Sequence, residues 1–180
     1  MQVESLSIAD VKLLKPRVFA DSRGWFSETW NRRTLAAAGI EVDFVQDNHA
    51  FSVAVDTVRG LHFQRAPYGQ DKLIRVVSGA ILDVAVDIRP GSPSYGRHIA
   101  RELTAESHEQ LWVPKGFAHG YRTLVRGTEV AYKVTAHYAP EADGGILWSD
   151  PELGIDWGLD LDRALVSDKD LRLPRLSEIV

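Results

Sequence analysis

A chain of 180 residues, 44% hydrophobic and 26% charged, has the length of one domain and the composition of a globular protein, which excludes a disordered or fibrous class. Its net charge of -4 supplies no basic field for a nucleic acid or an anionic membrane surface, so a bound anion must be held by local cations. With no cysteine there is neither a disulfide framework nor a thiolate metal site, and a cytoplasmic location is expected.

The opening segment, MQVESLSIADVKLLKP (1–16), lacks the basic region and apolar block of a signal peptide. The segment NRRTLAAAG (31–39) predicts a helix: Asn31 is placed to cap it, alanine and leucine favour it, and Gly39 ends it. Beyond it, short segments rich in Val, Ile, Tyr and Trp recur between Gly, Pro, Asn and Asp, the pattern of an antiparallel sandwich or barrel. The predicted strands are VDFVQDN (42–48), TVRGLHF (57–63), KLIRVV (72–77), AILDVAVDI (80–88), RHIARELT (97–104), QLWVP (110–114), GYRTLV (120–125) and EVAYKVTAHY (129–138). KLIRVV and AILDVAVDI meet at Ser78 and Gly79, where glycine accepts the positive φ of a hairpin turn. Asp83 and Asp87 interrupt the longest apolar run, which falls far short of the ~20 residues of a membrane-spanning helix.

Pro90, Gly91 and Pro93 mark a loop. EADGGILWSDPELGIDWGL (141–159) has poor periodicity and many turn residues, and reads as irregular chain over the surface of a β-core. No repeat or low-complexity linker divides the chain, so one domain over residues 1–180 is expected. The predicted class is mainly β: a double-sheet antiparallel jelly roll with one or a few short helices, whose interior can hold a small ligand.

Six histidines are present. An imidazole metal site needs about three or four converging ligands, whereas RGLHFQ (59–64) carries His62 alone and PKGFAHGY (114–121) carries His119 alone. No metal site is therefore expected, and each histidine taken singly reads as a packed core residue. Their company points elsewhere. Arg59 precedes His62 by three residues, Lys72 follows ten later, and Tyr132 interrupts an apolar strand. Buried, such groups need polar partners, which a shared polar cavity would supply; otherwise each reaches solvent. Arg59 and His62 would face opposite ways on a regular strand, so one cavity can take both only if Gly60 permits a bulge or the strand twists.

The segments VFADSRGWFSETW, FVQDNHAFS, RGLHFQ, DKLIRVVSG, DVAVDIRPGSPSYG, QLWVPKGFAHG, YKVTAHYAPEADGGILWSDPELGIDW and SDKD follow one another over nearly the whole chain. In this order they resemble the dTDP-4-dehydrorhamnose 3,5-epimerases, cofactor-free enzymes with a cupin-type jelly roll. The resemblance implies a dTDP-4-keto-6-deoxyhexose substrate whose hydrogens beside the C4 ketone are acidic because their loss gives an enolate. Reprotonation from the opposite face inverts the centre. It implies His62 as base, Asp170 as the carboxylate that orients and stabilises its imidazolium, Lys72 beside the enolate oxygen, and Tyr132 as acid on the other face.

It further assigns nucleotide-sugar contacts to Arg23, Glu28, Gln46, Asp47, Asn48, Arg59, Lys72, His119, Asp143 and Lys169. Arginine suits the diphosphate through paired, charge-assisted bonds. Phe19 and Tyr138 are expected near the thymine or sugar, Tyr138 by stacking. Phe63 stands where relatives often carry tyrosine and Asp143 where glutamate is frequent; neither change removes a catalytic group. The family implies a homodimer, in which Arg23 or Glu28 could serve the neighbouring subunit. His49, His98, His108 and His137 are left as structural or surface residues. Three other readings stay open: a mono-epimerase or ketoisomerase sharing the enolate step, a metal-dependent cupin such as a dioxygenase, and a sugar-binding module without chemistry.

Overall fold

The computed structural model describes residues 1–179. In chain order the elements are β1 (Gln2–Ser5), β2 (Lys12–Lys15), β3 (Val18–Asp21), β4 (Gly24–Ser27), α1 (Arg32–Ala37), β5 (Gln46–Ser52), β6 (Val58–Gln64), β7 (Lys72–Ser78), β8 (Ala80–Asp87), β9 (His98–Thr104), β10 (Gln110–Val113), β11 (Phe117–Thr123), β12 (Thr128–Val134) and β13 (Asp143–Gly145). One sheet runs β1-β2-β10-β7-β12-β5 and the other β13-β6-β11-β8-β9. Neighbouring strands are antiparallel in both. This is the predicted double-sheet jelly roll.

Period-two alternation explains the layers. Along β8, Ile81 and Ala85 point into the core between the sheets, where they meet Ile74, Val76, Leu111 and Val130 of the opposite sheet. Val84 and Val86 point the other way, into a second apolar layer with Ile146, Trp148, Leu153, Trp157 and Leu176. A strand buried on both faces reads as a near-continuous apolar run, and Asp83 and Asp87 share the inward parity of Ile81 and Ala85. The chain after Pro140 therefore forms a buried layer, anchored where β13 extends the sheet edge beside β6. Its aromatic side chains drive this packing, although turns and short 3₁₀ segments deny it a period.

α1 starts as predicted: the Asn31 side chain accepts from the Arg33 and Thr34 amides. Leu35 of this helix packs on Leu14, Leu73 and Trp112, closing the outer face of the six-stranded sheet.

The hairpin predicted at Ser78-Gly79 does not form. β7 pairs with β10 and β12, whereas β8 pairs with β9 and β11 in the other sheet. Gly79 does have a positive φ of 82°, but it turns a corner between sheets, where a Cβ would meet Thr128 Oγ1 at 2.5 Å. A glycine signal for positive φ is the same in both settings, and only tertiary pairing separates them. Pairing near residue 42 also starts late, at Gln46, because Val42 and Phe44 pack beside α1 instead. The β3–β4 hairpin, absent from the predicted strands, pairs Phe19 with Phe26 and Ala20 with Trp25. It stands out from the sandwich with Phe19, Trp25 and Phe26 49%, 59% and 69% exposed.

Candidate active site

A cavity of about 490 Å³ opens between the sheets. Gln46, Asn48, Arg59, His62, Lys72, His119, Tyr132, Tyr138, Asp143 and Lys169 line it, so ten of the residues singled out above converge there.

The conflict between Arg59 and His62 is resolved by a bulge. His119 pairs with His62 and Tyr121 with Arg59, so three steps along β6 oppose two along β11. Gly60 makes this possible, with φ of 112°; a Cβ there would lie 2.7 Å from the Gly120 Cα and from the His119 carbonyl oxygen. Gly120 is equally restricted, since its Cβ would fall 2.6 Å from the Arg59 carbonyl oxygen. Two glycines facing across the strand pair thus turn both side chains into one cavity.

His62 Nε2 lies 2.7 Å from Asp170 Oδ1. Asp170, 3% exposed, also accepts the Gly60 amide on Oδ2 at 3.2 Å. Burial pushes this carboxyl up, but the bonds from His62 and Gly60 and the Lys169 charge outweigh burial and hold it below the usual carboxylate range. With Asp170 ionised, Nε2 carries the proton of neutral His62 and Nδ1 is the basic nitrogen.

Lys72 is buried, and its ammonium donates to the His62 carbonyl oxygen at 3.3 Å. Burial lowers it to about 8, against the opposing pull of Asp83 and Asp143. Asp143 is paired with Lys169 at 2.5 Å. Tyr132 enters from β12 in the opposite sheet; burial raises its phenol, partly offset by the Arg59 charge. Arg59 is held by Ser52 Oγ at 3.2 Å and by the Phe51 carbonyl oxygen at 3.1 Å. At the rim, the amide of exposed Tyr138 donates to Gln46 Oε1 at 3.1 Å, and Gln46 Nε2 donates to Asn48 Oδ1 at 2.8 Å.

Besides Asp170, which stands behind His62, four assigned residues do not line this cavity within the same chain. Phe19 and Arg23 sit on the β3–β4 hairpin, where Arg23 pairs with Asp21 at 2.6 Å. Glu28 accepts from Asn31 Nδ2 at 3.0 Å. Asp47 alternates to the outer face of β5, between Gln46 and Asn48, and pairs with Lys133 at 2.7 Å.

Residues given no site role from the sequence also line or support the site. Phe63, Gln70 and Tyr121 line the cavity, and Asp83 Oδ1 holds His119 Nε2 at 2.7 Å. A usable signal existed for Asp83, an acid at an inward position of an apolar strand. Among the described residues no three His, Asp or Glu side chains converge as a metal-ligand set, and no helix is long and apolar enough to cross a membrane.

A family model described as dTDP-4-dehydrorhamnose 3,5-epimerase matches residues 5–178. The chain is 49% identical to the dTDP-4-dehydrorhamnose 3,5-epimerase of Sinorhizobium fredii, over 99% of this chain and 91% of that protein. It is 48% identical to the enzyme of the same name from Escherichia coli, over 100% and 97% of the two chains. It superposes with a TM-score of 0.94, at 39% identity, on the 3,5-epimerase of Legionella pneumophila solved with dTDP-4-keto-L-rhamnose, covering 99% of this chain and 94% of that one. Matches of this extent leave no element of the jelly roll outside the alignment, and the chain belongs to the dTDP-4-dehydrorhamnose 3,5-epimerase family.

Proposed function

We propose that this protein epimerises C3 and C5 of dTDP-4-dehydro-6-deoxy-D-glucose to give dTDP-4-dehydro-L-rhamnose, by proton transfer alone. The observation that carries the reading is the His62–Asp170 pair and the Tyr132 phenol facing one cavity from opposite sheets. Neutral His62 takes the proton from a carbon beside the C4 ketone, and Asp170 balances the imidazolium. The Lys72 ammonium faces the negative oxygen of the enolate. Tyr132 returns a proton to the other face and regains its own from solvent, while the His62 imidazolium releases the abstracted proton to solvent. The steps are redox-neutral, and no cofactor enters them.

Arg59, His119, Lys169, Asn48 and Gln46 contribute contacts to the nucleotide sugar, with Tyr138 stacking at the rim. Phe19, Arg23, Glu28 and Asp47 belong to the same binding machinery. In this reading the protein is a cytoplasmic homodimer of single-domain chains, and the exposed apolar β3–β4 hairpin of one chain covers the cavity mouth of the other. Burial of Phe19, Trp25 and Phe26 would drive that association. Sedimentation at micromolar concentration checks it, with a single 20 kDa species as the contrary result.

Incubation of purified enzyme with the 4-keto-6-deoxy substrate in heavy water tests the chemistry. Deuterium at both C3 and C5 is expected. Label at one position alone establishes a mono-epimerase, and label at neither removes the proposal.

A further inference from the structure

Asp83, which holds His119, takes no part in the proposed proton transfers, yet it is fully buried. It stands on β8 at an inward position between Ile81 and Ala85, opposite Tyr121 of β11. Its Oδ1 accepts from His119 Nε2 at 2.7 Å, and its Oδ2 is buried with no hydrogen-bond partner among the described residues. A carboxylate oxygen so placed is strongly unfavourable unless a cation stands near it.

Two cations are candidates. Arg101, the cross-strand neighbour on β9, donates its Nη2 to Glu109 at 3.1 Å, and although its Nε is buried without a partner, it makes no hydrogen bond to Asp83 among the described residues. Lys72 is buried and makes one hydrogen bond among the described residues, to the His62 carbonyl oxygen, so two of its three N–H donors are unengaged. We propose that Asp83 is a positioning residue of the active site, one oxygen fixing the His119 ring against the cavity wall and the other supplying the counter-charge beside which the Lys72 ammonium is held. The inference rests on the enolate role given to Lys72 above.

The groups around Lys72 leave this task to Asp83. Asp143 on β13 is neutralised by Lys169. Tyr121 is pushed up to about 12 and Tyr132 is also raised, each chiefly by burial, so neither offers negative charge at neutral pH. Arg59 adds positive charge, and His62 adds more whenever it accepts a proton. Among the groups that oppose the effect of burial on Lys72, Asp83 is foremost.

The arrangement also divides labour between two histidines. His62 and His119 are cross-strand partners, each bonded through Nε2 to its own carboxylate. The His62 side chain is 36% exposed and that of His119 only 7%. The first is placed to exchange protons through the cavity, whereas the second is locked as a fixed wall of the site.

Asp83→Asn preserves shape and removes the charge. Lysine labelled with ¹³C and ¹⁵N allows the Lys72 side chain to be titrated by NMR without substrate, and kcat is measured over the same pH range. The Lys72 midpoint is expected to fall by about one unit or more in Asp83→Asn. The alkaline limb of kcat should move with it, KM should change far less, and Asp83→Glu should restore much of the midpoint. An unchanged Lys72 midpoint in Asp83→Asn overturns the proposal. If the variant does not fold, the wild-type protein decides: the Asp83 carboxyl carbon must report an ionised group at pH 7, and a protonated one overturns the pairing. Because the titration needs no turnover, loss of the epimerase reading in the heavy-water experiment leaves this result separately readable.

Discussion

His62 and Tyr132 reach the same cavity from opposite sheets, one on β6 of the five-stranded sheet and the other on β12 of the six-stranded sheet. Neither strand neighbours the other, so the sandwich itself sets the distance across which a hexose ring would lie. An imidazole and a phenol placed in this way meet the requirement of the proposed inversion, which removes a proton from one face and returns it to the other.

His62→Ala and Tyr132→Phe should each keep dTDP affinity within a few-fold while turnover falls by roughly 10²–10⁴, with the His62 change the larger. Calorimetric titration with dTDP and steady-state kinetics separate the two effects. Wild-type turnover in His62→Ala would remove it from the base role.

Gly60→Ala should damage both stability and activity. The new methyl collides with the Gly120 and His119 backbone, and alanine must also adopt a positive φ, which together should cost about 3 kcal/mol or more. Because the bulge aims both Arg59 and His62, surviving folded protein should bind dTDP weakly and turn over slowly. Urea unfolding and kinetics check this; a variant close to wild type in both would show that the bulge is dispensable.

Asp87 should act on stability without touching the chemistry. Its buried carboxylate accepts from the Arg89 guanidinium and from the Ser92 and Ser94 hydroxyls, tying down the loop after β8. Burial pushes the group up, but these bonds prevail and hold it well below the usual carboxylate range. The contribution to stability is therefore complete above the unfolded value near 3.8 and is lost as pH falls through the lower native value. Asp87→Ala should cost about 3 kcal/mol. Its urea midpoint should drop less than that of the wild type between pH 5 and pH 2.

Lys72 titrates in the other sense. Native Lys72 gives up its proton near 8, whereas an unfolded chain holds it to about 10.4. Between these values the unfolded state binds more protons, so Lys72's own contribution makes the fold more stable as pH rises. In the proposed mechanism turnover should move oppositely, because loss of the ammonium would remove charge from beside the enolate oxygen. A kcat profile with an alkaline limb near pH 8, beside urea midpoints free of a matching drop, is the expected pair. Undiminished turnover at pH 10 would show that the ammonium is not needed.

Local signals carried much of the fold. Asn31 capped its helix as expected, and most apolar segments became strands because alternation and turn residues are written locally. What failed was sheet membership: nothing near Gly79 distinguishes a hairpin from a corner between sheets. Period two correctly set Arg59 and His62 at odds, and Gly60 marked where the conflict could be resolved, but the facing glycine at 120 became visible only once β6 and β11 were paired. Asp83 was legible as a misplaced charge, but its partner His119 lies on another strand and became visible only in the fold. Phe19, Arg23, Glu28 and Asp47 came from family resemblance, and the geometry of one chain leaves them outside the cavity.

The most direct test is a crystal structure of the enzyme with a dTDP-hexose bound. The account predicts His62 against one face of the sugar ring, beside C3 and C5, with the Tyr132 hydroxyl on the opposite face and Lys72 toward the C4 oxygen. Both side chains on the same face, or both remote from the ring, would contradict it.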